Sequence, residues 1–450
     1  MSVKLPEGAM GSVKEFHGGV HLEYKKNTSQ QDAAVLPTPS RVRIPVSMHI
    51  GPHCVPVVKP KDEVKVGQLI ADSDSQFASP VHASVSGTVK FVRDGDVARS
   101  GAETIVIEIE SDGLMTKADN LVPPSIQSKE DFIQAVRNSG VVGLGGAGFP
   151  TSGKLLVPDD VDIDTLIVNG GECEPYITAD EYTMMHYTDD MLDGIAATLK
   201  WKDISQAIIG IEDNKMGAVH VVLDKINSNP DKYKNIKVLV TKTYYPRGAE
   251  KMLIYNATGR EVPENKLPFA VGCIVFNVST LAEIGKYLRT GVPLVSRMVT
   301  VDGSAVSKPQ NVIVPVGTSI EDVLQFVGLK EQPDILLMGG PMMGVAISNL
   351  DRAIIKQNNA ILALLEKDVQ LADETECIRC SRCIDACPVN LQPTSIMKAI
   401  KAGDLEKVER LHVNTCMECG CCDFVCPAKI PLVQYFRHGK KLLRNAGGSK

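Results

Sequence analysis

The middle third of the chain alternates between short apolar runs and amphipathic segments. Three apolar runs predict buried strands, which are Thr165–Val168, Ala207–Ile211 and Ile236–Thr241. Periodic segments near residues 180–199 and 215–226 predict helices, and a capping box of Ser128 and Asp131 predicts a further helix that ends at Gly140. Strands that alternate with helices predict a mostly parallel sheet with both faces covered, so the fold class is α/β.

The segments on either side of this α/β region have a different pattern. Residues near 36–112 alternate apolar and polar positions with turn glycines, which resembles a barrel-sandwich of the lipoyl or biotinyl type. A carrier module of that type needs a lysine on its exposed hairpin, and no lysine occurs between Lys65 and Lys90. We therefore predict a β module that is not acylated. Residues near 294–349 predict two strands, a helix and a glycine-rich strand end.

Composition and charge exclude several classes of protein. The 450 residues suggest roughly three domains, and 44% hydrophobic with 23% charged residues is typical of a globular chain. A net charge of −6 argues against a nucleic-acid binder. No apolar run has the ~18–20 residues of a membrane span, and the N-terminus lacks the apolar stretch of a signal peptide. We therefore expect a soluble or peripheral intracellular protein.

The cysteines are concentrated near the C-terminal end. Nine of the twelve lie between Cys377 and Cys426, where a disulfide framework would not crowd them. Two runs have the spacing C-x2-C-x2-C-x3-C-P, in which the fourth cysteine of each run binds the other of two [4Fe–4S] clusters. The spacing therefore predicts one cluster at Cys377, Cys380, Cys383 and Cys426, and another at Cys416, Cys419, Cys422 and Cys387.

A pair of zinc sites is the alternative interpretation, because CxxC pairs also bind zinc. Zinc gives no reason for the Cys-Pro ending to occur twice, so we favour iron–sulfur clusters. Cys421 lies outside the pattern and is predicted to be a packed residue. Between the two runs, apolar positions at helical spacing predict two short helices, the second capped by Asp404. We therefore expect a mainly helical domain with two clusters.

A glycine-rich loop, Gly143-Leu-Gly145-Gly146-Ala-Gly148, precedes Phe149 and Lys154. The backbone N–H groups of such a loop can approach an anionic ligand closely, and a nearby lysine can bind a phosphate. The spacing matches neither the P-loop nor the dinucleotide-binding fingerprint. A flexible turn is therefore an alternative for this segment taken alone.

Several motifs in collinear order resemble one family. The loop and its Phe-Pro-Thr continuation resemble the FMN loop of the flavoprotein subunit of respiratory complex I, and Asn169–Asp180 matches that family's second signature. The chain resembles still more closely the C subunit of the Rnf complex, an ion-translocating ferredoxin:NAD+ oxidoreductase. That resemblance continues at Phe16–His21, Tyr245–Lys251, Thr258–Pro263 and Asn277-Val278, so it covers nearly the whole chain.

The resemblance implies non-covalent FMN, NAD(H) as substrate and no catalytic amino acid. The implied residues are Gly143, Gly145, Gly146, Gly148 and Lys154 for the FMN phosphate and ribityl chain, Asn169, Glu172 and Asn277 for the isoalloxazine, and Glu174, Glu250 and Phe149 for NAD(H). An exposed acidic loop is the alternative for Glu172 and Glu174. Their position straight after a buried strand favours a ligand site, because open α/β sheets bind ligands at the carboxyl ends of their strands.

The resemblance also implies a domain order. We expect an N-terminal region with the barrel-sandwich at 1–122, an FMN- and NAD-binding α/β domain at 123–292, an SLBB ubiquitin-like module at 293–350, a helical domain with two clusters at 351–438 and a basic tail at 439–450.

The implied function is electron transfer at the cytoplasmic face of the cell membrane. A peripheral subunit would exchange hydride with NAD(H) at FMN and pass single electrons through the clusters. Other Rnf subunits, including integral subunits and an iron–sulfur subunit that meets ferredoxin, would couple this to Na+ or H+ movement. The alternatives are a flavin and iron–sulfur cobalamin reductase and a non-catalytic electron-conducting adapter.

Overall fold

The computed structural model describes residues 5–97, 103–158, 161–369 and 373–447. One sheet has five strands, and all of its neighbouring strands are parallel. It contains the three predicted strands, and its spatial order is Ala9–Gly11, Ile236–Thr241, Gln206–Glu212, Thr165–Gly170 and Cys273–Asn277. The edge strand Ala9–Gly11 comes from the N-terminal region, so this part of 1–122 packs with the α/β domain rather than with the β module.

Helices cover both faces of this parallel sheet, as predicted. On one face Ile167 packs against Leu253 of the helix Glu250–Thr258, and on the other face Leu166 and Val168 join a separate core. The helices of this region are Lys129–Asn138, Thr151–Leu155, Ala179–His186, Thr188–Lys202, Met216–Ser228, Pro230–Tyr233, Glu250–Thr258 and Val278–Thr290, with 3-10 turns at Asp213–Lys215 and Pro268–Val271.

The helices predicted in the α/β region are confirmed with one exception. Ser128 and Asp131 form the predicted capping box, each side chain accepting from the other's backbone N–H at 3.0 Å. The exception is the segment near 180–199, which forms two helices rather than one. Thr188 Oγ1 donates to Met184 O at 2.6 Å. A hydroxyl that binds the preceding turn competes with the helical ladder and favours a bend.

The predicted N-terminal β module is confirmed as two antiparallel sheets. One consists of Arg41–Pro45, Glu103–Ser111, Gly87–Val97 and Glu63–Val64, and the other of Val55–Pro56, Leu69–Asp72 and Val81–His82. Alternate residues such as Val42 and Ile44 are fully buried in their shared core. Val316 and Ile355 from later in the chain also pack in this core, so the module is joined to the next one by a common interior.

A fourth sheet, here called the mixed sheet, contains the predicted strands near 294–349 and extends beyond them. Its order is Val345–Ile347, Ile335–Met338, Ala360–Leu364, Ser296–Asp302, Gln310–Pro315 and Ala34–Val35, and the helix Ile320–Val327 packs on it. The strand Ala360–Leu364 lies inside this sheet and is buried along its length, although the sequence assigned it to the helical domain that begins at 351. A continuous apolar run gives no alternation, so its pattern did not indicate which sheet it joins.

The C-terminal region is mainly helical, as predicted. Asp404 caps the second short helix, and its Oδ1 accepts from Lys407 N–H at 3.0 Å. The helices are Arg382–Asp385, Pro393–Lys401, Leu405–Arg410, Cys421–Phe424 and Leu432–Gly447, with 3-10 turns at Glu366–Asp368 and Val413–Thr415.

The last helix continues past residue 438, where the sequence predicts a separate basic tail. Phe436 is buried in the core of this region, and Lys440 Nζ donates to Cys416 O at 2.6 Å. These contacts anchor the helix before and after residue 438, so the helix continues to Gly447. Residues 448–450 lie outside the described part. Within the described ranges, no helix combines the length and hydrophobicity of a membrane span.

Two glycines let the helices Thr188–Lys202 and Val278–Thr290 meet backbone to backbone. A Cβ at Gly285 would lie 1.9 Å from Asp190 O, and one at Gly194 would lie 2.0 Å from Leu281 O. We expect Gly285→Ala to force these helices apart and to lower the free energy of unfolding by about 1–3 kcal/mol. A lower melting temperature measures this effect.

Gly217→Ala is the matched control, because Gly217 is also helical and its Cβ would lie 3.8 Å from the nearest atom, Met185 Cε. Alanine has the higher helix propensity, so we expect this change to be neutral or stabilising by up to about 1 kcal/mol. Equal melting temperatures for the two variants would contradict the close helix contact.

Candidate cofactor cavity and cluster sites

A cavity of about 850 Å³ lies at the carboxyl ends of the parallel strands. Small-molecule sites are typically about 300–1,000 Å³, and this edge is where open α/β sheets bind ligands. The sequence-assigned cofactor residues that line it are Gly143, Gly145, Gly146, Phe149, Lys154, Asn169, Glu172, Glu174, Glu250 and Asn277. Gly148 is the assigned residue that does not. His49 of the β module and Gln357 also contribute to the wall. Gln357 follows the mixed sheet's hairpin, which consists of the paired strands Ile335–Met338 and Val345–Ile347.

The glycine-rich loop is closed by its own backbone. Gly143 N–H donates to Phe149 O at 2.8 Å, and Gly148 N–H donates to Gly143 O at 3.1 Å. Gly146 has φ +109°, a conformation that other residues rarely adopt. A Cβ at Gly145 would lie 3.3 Å from Asn277 Nδ2, so the loop packs closely on the strand-end wall. An ordered turn without side chains beside a cavity fits close approach of a ligand to backbone N–H groups.

Lys154 lies on the short helix after this loop and is tied to the opposite wall. Its Nζ donates to Val275 O at 3.0 Å and to Glu250 Oε2 at 3.1 Å. The resemblance assigned Lys154 to FMN and Glu250 to NAD(H), whereas in the structure their side chains form an ion pair. Their side chains are 30% and 38% exposed, so the pair remains accessible from the cavity.

Glu172 and Glu174 are not part of an exposed acidic loop, so that alternative is wrong. Glu172 Oε1 accepts from Asp180 N–H at 2.8 Å, which fixes the start of the next helix. Glu174 accepts from Met342 N–H at 3.0 Å and Met343 N–H at 2.9 Å, on the mixed sheet's hairpin. Burial raises the pKa of each of the two carboxyl groups to about 7. Burial thus disfavours the charged form of both groups, and the Lys26 ammonium opposes this effect at each of them.

The N-terminal strap, residues 16–26, crosses the α/β and cluster domains, and sequence reasoning did not assign it a site role. Gly19 N–H donates to Ala386 O at 2.9 Å, and Val20 N–H donates to Tyr245 O at 2.8 Å. At its end, Lys26 Nζ donates to the carbonyls of Glu172, Glu174 and Ile177 at 2.9, 2.8 and 2.5 Å. The strap therefore fixes the loop that carries both acids. No local pattern marks Lys26, because its partners lie 146 or more positions away.

The thiols of the two cysteine runs influence one another electrostatically, although within the described ranges no three of these side chains are already arranged as a metal site. Burial raises the pKa of the Cys383 thiol, and nearby Cys426 and Cys377 raise it further. Burial likewise raises the pKa of the Cys422 thiol, and its neighbouring thiols are those of Cys416, Cys419 and Cys387. Cys380 is exposed at the surface, and Cys421 is fully buried as predicted. Cys426 acts on Cys383, and Cys387 acts on Cys422, so the crossed ligand sets stay a prediction that these influences favour.

The cavity and the second cysteine run share a wall. Tyr245 lines the cavity, and its hydroxyl donates to Cys419 O at 2.7 Å. Met417 also lines the cavity, and Cys173, Tyr245, Cys419 and Met417 belong to one hydrophobic cluster. The sequence treated Cys173 as a packing residue and gave Tyr245 no separate role. The structure places both between the cavity and the cluster loop.

Four protein-family models match the chain in order. They are the RnfC barrel sandwich hybrid domain at 14–113, the Nuo51 FMN-binding domain at 136–286, the SLBB domain at 298–346 and the 4Fe-4S dicluster domain at 376–431. The last match supports two [4Fe–4S] clusters rather than zinc sites. The second agrees with the resemblance to the complex I flavoprotein.

Curated relatives match over almost the full length. The C subunit of the proton-translocating ferredoxin:NAD(+) oxidoreductase complex of Clostridium ljungdahlii is 41% identical over 97% of this chain and 95% of its own. The chain belongs to the family of Rnf complex C subunits. The Na(+)-translocating counterpart of Acetobacterium woodii is 37% identical over 88% of this chain and 89% of its own, and the ion-translocating counterpart of Rhodobacter capsulatus is 37% identical over 94% and 82%.

A solved structure shows a related fold for this Rnf C subunit. An air-oxidised NAD+-reducing [NiFe]-hydrogenase superposes with a TM-score of 0.50 and 16% identity, covering 70% of this chain and 63% of the other. At this identity the likeness concerns the fold alone.

The predicted crossed binding of the two clusters can be tested with cysteine variants. Each variant should lose the normal spectrum of one cluster, and the spectrum of the other cluster remains. If Cys426 binds the same cluster as Cys380, then Cys426→Ser and Cys380→Ser should each perturb that cluster and leave the same unperturbed cluster. We expect the two variants to share a residual electron paramagnetic resonance spectrum, distinct from that of Cys419→Ser. A Cys426→Ser spectrum that instead matched Cys419→Ser would show that each run binds its own cluster.

Proposed function

We propose that this chain exchanges hydride with NAD(H) at bound FMN and passes single electrons through two [4Fe–4S] clusters, as a subunit of an Rnf complex. The observation that carries the proposal is the shared wall, where Tyr245 lines the cavity and donates to Cys419 O. When bound, FMN supplies the conversion between the two electrons of a hydride and the single electrons that a cluster accepts.

The glycine-rich loop and Lys154 bind the phosphate and ribityl chain of FMN in this proposal. The ordered turn offers backbone N–H groups without side chains in the way, and the Lys154 ammonium supplies positive charge at the cavity. Its pairing with Glu250 holds the ammonium in position before a ligand arrives. Gly148 contributes to the turn rather than to the cavity wall.

Asn169, Glu172 and Asn277 line the isoalloxazine in this proposal, and their geometry is fixed. Asn277 Nδ2 donates to Asp180 Oδ2 at 2.7 Å, and Asn169 Nδ2 donates to Gly248 O at 2.8 Å. Side chains held by such contacts orient a ring without rearrangement, which favours the alignment that hydride transfer needs. No amino acid acts as a nucleophile or general base.

The dinucleotide side of the cavity is assigned to Phe149, Glu174 and Glu250. Glu174 already accepts two backbone N–H groups from the mixed sheet's hairpin. A carboxylate has further lone pairs, so it can also accept from a ribose hydroxyl. The hairpin then positions the carboxylate for the substrate.

The contacts support an order for the two clusters. The cluster at Cys387, Cys416, Cys419 and Cys422 is on the cavity side, because its loop carries Met417 and Cys419. The other cluster reaches the surface, because Cys380 is exposed and its neighbour Ile378 is 69% exposed. Electrons can therefore pass between the cavity and a protein partner through both clusters.

The partners of this chain are the other Rnf subunits, and the chain is a peripheral subunit at the cytoplasmic face of the membrane. Integral subunits carry out ion translocation. Relatives of similar identity to this chain are named for proton and for sodium translocation. This supports placing the choice of ion in other subunits.

The purified, cluster-reconstituted chain tests this function. It should bind FMN and oxidise NADH with an artificial one-electron acceptor. Absence of both flavin and NADH oxidation would leave a non-catalytic adapter, and efficient reduction of cob(III)alamin would favour the reductase alternative.

Lys154→Ala tests the phosphate assignment. Loss of the ammonium should lower FMN occupancy several-fold while both clusters persist, because a charge-assisted hydrogen bond contributes about 1.5–3 kcal/mol. Flavin absorbance measures the first effect and electron paramagnetic resonance the second.

Lys200→Ala is the control, because Lys200 is exposed and does not line the cavity. Equal flavin content in the two variants would show that the loop assignment is wrong.

A further inference from the structure

The loop of the mixed sheet's hairpin, residues 339–344, forms part of the cavity wall. Its backbone is closed on itself, because Gly344 N–H donates to Gly340 O at 2.8 Å. The loop residues that line the cavity are Gly339, Gly340, Met343 and Gly344. The sequence predicts only a glycine-rich strand end here, and the resemblance assigns no cofactor contact to it. The loop therefore belongs to the site through the fold alone.

Met342 of the same loop contacts the second cysteine run. The Met342 side chain packs against the hydrophobic cluster that includes Cys419 and Tyr245. A Cβ at Gly420, which has φ +80°, would lie 3.1 Å from Met342 O, so a side chain at this position would crowd the contact. The hairpin loop therefore touches the cavity through Met343 and the loop of the cavity-side cluster through Met342.

The Glu174 carboxylate holds this hairpin loop in place. Its Oε2 accepts from Met342 N–H at 3.0 Å, and its Oε1 accepts from Met343 N–H at 2.9 Å. A Cβ at Gly340 would lie 2.3 Å from Glu174 Oε2, so the carboxylate fits against the loop only because Gly340 has no side chain. Two donors on the two oxygens of one carboxylate fix the loop in orientation as well as in position.

The backbone of Glu174 is fixed independently of its carboxylate. Lys26 Nζ donates to Glu174 O at 2.8 Å, so the turn that carries Glu174 has its own anchor. Loss of the carboxylate therefore frees the hairpin loop and leaves this turn in place. A continuous line of contacts thus runs from the turn through the hairpin loop to the second cysteine run.

We propose that Glu174 is a positioning residue for the cavity-side cluster, which it serves by holding Met342 against the cluster's loop and keeping water out of this contact. The role is additional to the ribose contact proposed above, and its bearing on a bound flavin rests on that proposed function. Solvent exposure is one of the properties that set the reduction potential of a cluster. Water stabilises the reduced state more than the oxidised state, because the reduced state carries more negative charge. A dry contact therefore keeps the potential low and favours electron flow from this cluster to the flavin.

Glu174→Gln and Met342→Ala test the two ends of this arrangement. Glu174→Gln replaces one accepting oxygen with an amide NH2 group of similar size, and Met342→Ala removes the side chain that covers the cysteine run. In the full chain carrying both clusters, we expect each variant to raise the midpoint potential of one cluster and to leave that of the other unchanged. Redox titration followed by electron paramagnetic resonance measures both potentials. The shifted cluster should be the one that Cys419→Ser perturbs.

The double variant Glu174→Gln/Met342→Ala tests whether Glu174 acts through Met342. Residues that act through one contact have non-additive effects. We expect the potential shift of the double variant to equal that of Met342→Ala rather than the sum of the two single shifts.

Glu321→Gln is the matched control for the loss of a carboxylate. Glu321 is exposed on the helix Ile320–Val327, which packs on the same sheet, and it does not line the cavity. Both cluster potentials should equal those of the parent chain in this variant.

The KM for NADH separates this role of Glu174 from its ribose contact. Met342 does not line the cavity, so in the chain that also carries FMN we expect Met342→Ala to keep the KM within about twofold of the parent value. A rise of the KM in Glu174→Gln then reports the ribose contact.

Two results would overturn the inference and leave the proposed function intact. One is a pair of unchanged cluster potentials in both single variants, which would leave Glu174 as a substrate contact only. The other is an additive shift in the double variant, which would show that Glu174 does not act through Met342. A parent chain that bound no flavin would overturn the proposed function instead, and the cluster titrations would still decide the inference.

Discussion

The buried ammonium of Lys26 is the interaction on which the shape of the cavity depends. It donates to the carbonyls of Glu172, Glu174 and Ile177, so a single group fixes the turn after the strand Thr165–Gly170. A buried charge is costly unless it is paired and hydrogen-bonded, and here three carbonyls and the nearby Glu172 carboxylate meet that need. Burial lowers the pKa of Lys26 to about 8, so at neutral pH the ammonium is still mostly protonated. The turn it holds directs Glu172, Cys173 and Glu174 towards the cavity.

This rigid turn also explains how one wall can serve two kinds of chemistry. Glu172 and Glu174 of this turn line the cavity, and Cys173 between them both lines the cavity and packs with Tyr245 and Cys419. Electron transfer between a bound ring and a cluster needs proximity, while hydride exchange needs water to be excluded. The packed layer of Cys173, Tyr245 and Cys419 supplies the proximity. The match to the FMN-binding family and the cavity beside the cluster loop are independent observations, and both support electron transfer between a bound flavin and a cluster.

Local features could be predicted from sequence, because each depends on residues a few positions apart. The strand Ile236–Thr241 and the capping box of Ser128 are of this kind. The resemblance added the assigned FMN and NAD(H) residues, and all of these assigned residues but Gly148 line the cavity.

Features that depend on contacts between distant segments were missed. The role of Lys26, the sheet of Ala360–Leu364 and the partners of Glu174 are set by residues far away in the chain. Hydrophobic periodicity and motif spacing describe neighbouring positions in the sequence, so they do not predict contacts between distant segments. The same limit explains why His49 and Gln357 were absent from the predicted site, since they meet the glycine-rich loop only through tertiary packing.

The N-terminal strap also constrains the order in which the molecule can be assembled during synthesis. Gly18 fits only because it has no side chain, since a Cβ there would lie 2.6 Å from Cys387 O. The strap precedes its docking surface at Ala386 and Cys387 by several hundred residues, so it leaves the ribosome well before that surface does. Domains generally fold as units as they emerge, so the parallel sheet can form while the strap waits undocked. Docking of the strap on Ala386 and Cys387 is therefore a late event, whereas Lys26 can bind the carbonyls of Glu172, Glu174 and Ile177 as soon as the α/β domain has folded.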